Sequence, residues 1–279
     1  MKRRITAGTL SFLAGGLLFG CDGTSTELGG AGELDEGDVA SESLPAVGGA
    51  RFGTMCQKEY ENGWQTTLDY VWNRCGWFNN ELDDTDSKIF YYNLHGTKSL
   101  WETSWDQNYL DNVNLFYSST HGGAWSGSAV YAMWDDGDLA YTSSMRLGDE
   151  SYGLSIMSTY SCDTLKLDGQ LINRWRNTMR GGLRYVTGSH DTLWDGLTTD
   201  ETGEDYADEL QKSNTIRYAW RDGNSDWYVD NDVAVMTTGL NSSDCSSRRS
   251  GMKWQNYTSY NRRRDGDAAY YCWTYWDNL

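Results

Sequence analysis

Two side chains able to share covalent chemistry, His121 and Cys162, stand 41 residues apart. Each follows a short apolar run. Val113 to Thr120 (VNLFYSST) precedes His121-Gly122-Gly123, and Leu154 to Ser161 (LSIMSTYS) precedes Cys162. Both runs are aromatic or β-branched and bounded by turn residues, the pattern of buried strands. If the two strands lie parallel in one sheet, imidazole and thiol emerge at the same edge. Ligands of open α/β sheets bind outside the carboxyl ends of the strands. A thiolate is a strong nucleophile and an imidazole can hold its proton, so the pairing suits attack on a carbonyl carbon.

The elements around them read as follows. A helix begins near Leu68, Val71 and Trp72 and stops at Gly76. Lys88 to Leu94 is a strand followed by a second His-Gly pair, His95-Gly96, and Ser99 to Leu110 is a short helix. Ala129 to Trp134 and Leu139 to Arg146 flank Asp135-Asp136-Gly137-Asp138 as a hairpin walling the site. The spacing of Leu171, Ile172, Trp175 and Met179 predicts a helix over 168–180, with Asp168 as N-cap and Gly181-Gly182 as its stop. Leu183 to Thr187 is a strand closed by Gly188-Ser189-His190-Asp191. One helix runs from Asp200 to about Arg221, and Asp232 to Thr238 is a further strand. The tail from Asn241, with its basic Arg262-Arg263-Arg264 cluster, reads as antiparallel or irregular structure. This order predicts an α/β fold with a mostly parallel central sheet flanked by helices.

Composition bounds the partners. A formal net charge of -17 argues against nucleic acid, which needs a basic surface. Residues 1–20 carry Lys2, Arg3 and Arg4 before an apolar stretch, the pattern of an export signal. Leu18-Phe19-Gly20-Cys21 resembles the lipobox of bacterial lipoproteins, which implies cleavage before Cys21 and its acylation. Residues 22–50 hold seven acidic and no basic side chains among Gly, Ser and Thr, so residues 21–50 read as a disordered acidic tether. Residues 51–279 form the folded domain. The expected location is the cell envelope, lipid-anchored to a bacterial membrane on its periplasmic or extracellular face.

With Cys21 set aside for lipid, five cysteines remain. Cys56 with Cys75 and Cys245 with Cys272 are close in sequence and suit two disulfides, each stabilising by about 3 kcal/mol. Cys245–Cys272 would pin the C-terminal extension. Cys162 is left over as a thiol.

The motifs Thr120-His121-Gly122-Gly123 and Tyr160-Ser161-Cys162-Asp163, with the hairpin between them, resemble the caspase–gingipain superfamily of cysteine peptidases over about residues 84–190. The resemblance implies a caspase-like sandwich, an endopeptidase activity, Cys162 as nucleophile and His121 as acid–base. It also implies an oxyanion hole from the backbone N–H groups of Gly122 and Cys162. Trp125, Asp163 and His190 are placed at the substrate rim. The expected partner is a peptide or protein substrate and the expected state a monomer, with no cofactor or metal expected. No third member of a triad is evident. The triplet Asp135, Asp136 and Asp138 reads as solvated turn chemistry rather than a subsite for basic side chains.

Two other readings carry their own residues. The three imidazoles, His95, His121 and His190, each follow a predicted strand and would suit zinc, with water or Cys162 as the fourth ligand. No H-E-x-x-H or C-x-x-C spacing supports that set. Alternatively Trp101, Trp105, Trp125, Trp134 and Trp194, in or near loops, would offer stacking faces to a glycan on a protein that only binds.

Overall fold

Alternation along the central strands decides the architecture. Leu115 and Tyr117 point into one hydrophobic cluster while Phe116 between them points into another. Ile156 and Met157, Tyr185 and Val186, and Val235 and Met236 divide in the same way. A strand buried on both faces needs a layer on each side. The computed structural model describes residues 51–82, 87–92 (backbone only), 96–102, 106–149, 153–225, 229–260 and 270–279. The expected signal, Cys21, the tether, His95, Trp105 and the Arg262–Arg264 cluster lie outside the described residues.

The sheet has seven strands: β1 Arg51–Cys56, β2 Ser87–Tyr92, β3 Leu115–Ser119, β7 Ile156–Tyr160, β8 Tyr185–Ser189, β9 Val233–Gly239 and β10 Tyr270–Trp276. Their order is β10-β9-β8-β7-β3-β1-β2. The five from β2 to β8 run parallel, and β9 and β10 join antiparallel. Three further strands, β4 Gly122–Trp125, β5 Ser128–Ala132 and β6 Leu139–Tyr141, make a small antiparallel sheet. Helices α1 Val71–Glu81, α3 Thr202–Gln211 and α4 Ile216–Asp222 contribute side chains to one cluster, and α2 Leu171–Met179 to the other. The expected mixed α/β fold with a mostly parallel sheet flanked by helices is therefore present.

Both expected local disulfides form, Cys56–Cys75 and Cys245–Cys272. The second ties β10 to a helix, α5 Ser242–Gly251. Asn241 caps it, its Oδ1 accepting from the Asp244 N–H at 2.9 Å. This helix is absent from the pattern because only Cys245 and Arg248 of it are buried. The remaining corrections are local. α1 runs through Gly76 instead of stopping there. The stretch expected as a helix over 99–110 holds short 3-10 turns at Lys98–Leu100, Asp106–Asn108 and Leu110–Asn112. The helix expected over 200–221 breaks into α3 and α4, with Ser213 at φ 66° between them. Asp168 is not the N-cap of α2; Gln170 is, while Asp168 accepts from the Gln170 N–H at 3.0 Å and pairs with Arg174. Among the described residues no helix is long and apolar enough to cross a membrane.

Candidate active site

β3 and β7 are parallel neighbours, in register from Leu115 opposite Ile156 to Ser119 opposite Tyr160. The chain leaves both strands at the same edge, two residues before His121 and Cys162 respectively. Those two residues line one small cavity with Leu68, Arg74, Tyr160, Ser161, Leu193 and Asp195.

His121 is held on three sides. Its Nε2 lies 2.9 Å from the Thr66 carbonyl oxygen and 3.1 Å from Thr66 Oγ1. A carbonyl can only accept, so Nε2 carries the proton and the lone pair resides on Nδ1. The His121 N–H donates to Tyr60 Oη at 3.1 Å, and the two rings pack with centroids 5.4 Å apart. Burial is the main influence on the imidazole and lowers its pKa, while the Thr66 carbonyl and the Asp195 charge act the other way. The ring is therefore neutral near pH 7 and fit to accept a proton. The sign for stability follows from linkage. The unfolded chain binds this proton more readily, so the contribution of His121 is present above the ordinary value of 6.5 and lost as pH falls. A histidine NMR titration is expected to show the His121 midpoint below 6.5; a midpoint above it would contradict the burial argument.

Gly122 explains itself by contact. A Cβ there would lie 2.7 Å from Ser161 Cβ, 3.0 Å from the Cys162 carbonyl oxygen and 3.0 Å from Thr164 Cγ2. Only glycine lets β4 leave the sheet against the end of β7. Gly122 pairs with Tyr131, and Ala132 N–H donates to the His121 carbonyl at 2.9 Å. That makes Gly122–Tyr131 a non-hydrogen-bonded pair and turns the Gly122 N–H out of the ladder.

Cys162 is half-buried, and its Sγ accepts the Leu193 N–H at 3.4 Å. It is not the leftover thiol expected from counting. Cys162 is disulfide-bonded. Next to it, Ser161 is 2% exposed, and among the described residues its Oγ has no hydrogen-bond partner.

Behind the cavity stands a residue that no motif announced. Arg74, on α1, is 1% exposed. Its Nη1 donates to Ser119 Oγ at 2.9 Å, its Nε to the Thr199 carbonyl at 3.0 Å and Thr202 Oγ1 at 3.1 Å, and its Nη2 to Thr199 Oγ1 at 3.0 Å. Nη2 also pairs with Asp195 Oδ1 at 3.2 Å, and the guanidinium lies 3.9 Å from the Tyr160 ring centroid. One side chain thus touches the end of the His strand, the end of the Cys strand and the 195–202 loop. Cys75, the next residue, is bonded to Cys56 at the end of β1.

Residues 55–276 match the family described as a domain of unknown function, DUF6345. The chain belongs to that family. A search of curated proteins finds no match. Among solved structures, a secreted C11 cysteine protease from Bacteroides thetaiotaomicron, "iotapain", is similar at 10% identity and a TM-score of 0.45, over 74% of this chain and 68% of that one.

Within this DUF6345 domain the other expected site residues sit apart from the cavity. Trp125 ends β4, 42% exposed. Asp163 takes a left-handed φ of 57° and pairs with Lys166 at 3.2 Å. His190 Nε2 approaches Asp277 Oδ1 at 3.1 Å and the Trp276 carbonyl at 3.2 Å. Among the described residues, the group spaced to hold a metal is His190, Asp232 and Asp277, which includes neither His121 nor Cys162. Of the tryptophans considered for glycan stacking, Trp101 is fully buried, while Trp125 and Trp194 are exposed.

Proposed function

We propose that this DUF6345 domain is a cysteine endopeptidase of the caspase-like kind, with Cys162 as nucleophile and His121 as acid–base. The supporting observation is the shared cavity: both residues line it, at the carboxyl ends of adjacent parallel strands. The resemblance of the two motifs to the caspase–gingipain superfamily supports the same roles.

The chemistry begins with release of Cys162 from its disulfide. A thiol reductant supplies two electrons and two protons, and two thiols result. His121 Nδ1 then takes the Cys162 proton. The thiolate forms a bond to the scissile carbonyl carbon, and the carbonyl electron pair moves to oxygen, where the Gly122 and Cys162 N–H groups receive it. The C–N bond breaks as His121 returns the proton to the leaving amine. Water then hydrolyses the thioester with His121 as base. The Leu193 N–H at Sγ favours the thiolate throughout.

The same proposal places the chain at the cell envelope, anchored through an acylated Cys21. Four of the six cysteines are in the two pairs Cys56–Cys75 and Cys245–Cys272.

The test is labelling of the reduced protein by an electrophilic peptidyl probe, followed by hydrolysis of a fluorogenic peptide mixture varied at P1. Label on Cys162 that slows in His121→Ala, together with peptide cleavage lost in Cys162→Ala, is the expected result. Reduced, labelled protein that cleaves no peptide in the mixture would leave a binding domain instead.

A further inference from the structure

The outward face of α1 carries a second feature, unrelated to the cavity behind it. Gly76 sits in mid-helix, where glycine gives up more backbone freedom than alanine. Nothing among the described residues asks for it. Its φ is not left-handed, and a Cβ built there meets no atom within 4 Å. Around position 76 lie its neighbours across the helix surface, four and three before it and three and four after it, and the next residue in the chain. Here they are Trp72, Asn73, Trp77, Asn79 and Asn80, and with Gly76 they line a hollow of about 280 Å³.

The lining is two indoles and three carboxamides, with no charged side chain, on a chain of net charge -17. Trp72 is 46% exposed. Indole faces stack on the apolar C–H face of a pyranose ring, and a carboxamide offers both an acceptor and donors to neighbouring hydroxyls. Asn73 is already oriented, its Nδ2 donating to Asp200 Oδ2 at 3.2 Å. A ligand bearing hydroxyls, unlike an apolar side chain, would give these carboxamides further hydrogen bonds. The volume lies at the small end for ligand sites, enough for one or two sugar rings.

We propose that the hollow over Gly76 binds a neutral saccharide, with Trp72 and Trp77 as stacking faces and Asn73, Asn79 and Asn80 as hydroxyl partners. Glycine is kept there to leave room for the ring.

The experiment follows the Trp72 and Trp77 indole N–H signals of the full chain during titration with cellobiose, lactose, maltose and chitobiose, each into the millimolar range. At least one sugar is expected to shift both signals saturably. Gly76→Ala is expected to raise the melting temperature by about 2 °C and to weaken that sugar by at least about 10-fold. The two effects together separate a site from a structural glycine. The proposal is overturned if no sugar in the panel shifts the signals, if Gly76→Ala binds as the parent does, or if Gly76→Ala melts lower. Self-association abolished by Gly76→Ala, without a sugar response, would assign the face to a second copy of the chain and equally overturn it.

Discussion

Arg74→Met is expected to destabilise the domain by about 3–5 kcal/mol, the usual loss when one partner of a buried ion pair is removed. Methionine fills much of the volume, so the loss is chiefly electrostatic. Asp195 would be left beside His121 without its cation, and four acceptors, Ser119 Oγ, the Thr199 carbonyl, Thr199 Oγ1 and Thr202 Oγ1, would lose a donor. Asp195 is 17% exposed, so water screens part of its charge and holds the effect within that range. Urea unfolding with an unchanged slope measures it. The double variant Arg74→Met/Asp195→Leu is expected to recover part of the loss, because no charge is then left unpaired. A shift below about 1 kcal/mol, the scale of exposed ion pairs, would mean that Arg74 does not hold the strands together.

If the proposed peptidase mechanism holds, Gly122→Ala is expected to lower kcat of the reduced protein by at least about 100-fold, the scale of one lost oxyanion donor. The added methyl meets Ser161 Cβ, the Cys162 carbonyl oxygen and Thr164 Cγ2, backbone and short buried side chains that cannot swing aside. β4 must therefore move away from β7 and carry the Gly122 N–H with it. Cys162 keeps its own neighbours, so alkylation of its thiol is expected to survive the change. Peptide turnover within a few-fold of the parent would remove Gly122 from the mechanism.

The parts of this site that were legible from sequence are those where an apolar run ends on a reactive side chain. β3 and β7 were visible for that reason, and their parallel pairing brought His121 and Cys162 to one edge as expected. The support around them was not legible. Thr66 orients His121 through a backbone carbonyl, which any residue could supply. Arg74 reads as the solvated side of a helix until the 195–202 loop is folded over it. β1, central in the sheet, spells Arg-Phe-Gly-Thr-Met-Cys, too mixed to stand out as a strand. Gly76 looks like a stop because mid-helix glycines usually are; α1 continues because Val71, Cys75 and Phe78 lock into the core on its other side. The disulfide of Cys162 leaves no mark in its local sequence.

The three crosslinks differ in how readily a small thiol can reach them. Both sulfurs of Cys56–Cys75 are fully enclosed, as is that of Cys245, whereas Cys162 and Cys272 are partly open to solvent. Exchange needs an attacking thiolate to arrive in line with a sulfur, so enclosure sets the sequence of opening more than intrinsic strength does. A graded dose of reductant is therefore expected to free Cys162 while Cys56–Cys75, behind Arg74, endures, so the proposed peptidase would gain its thiol with that clamp intact.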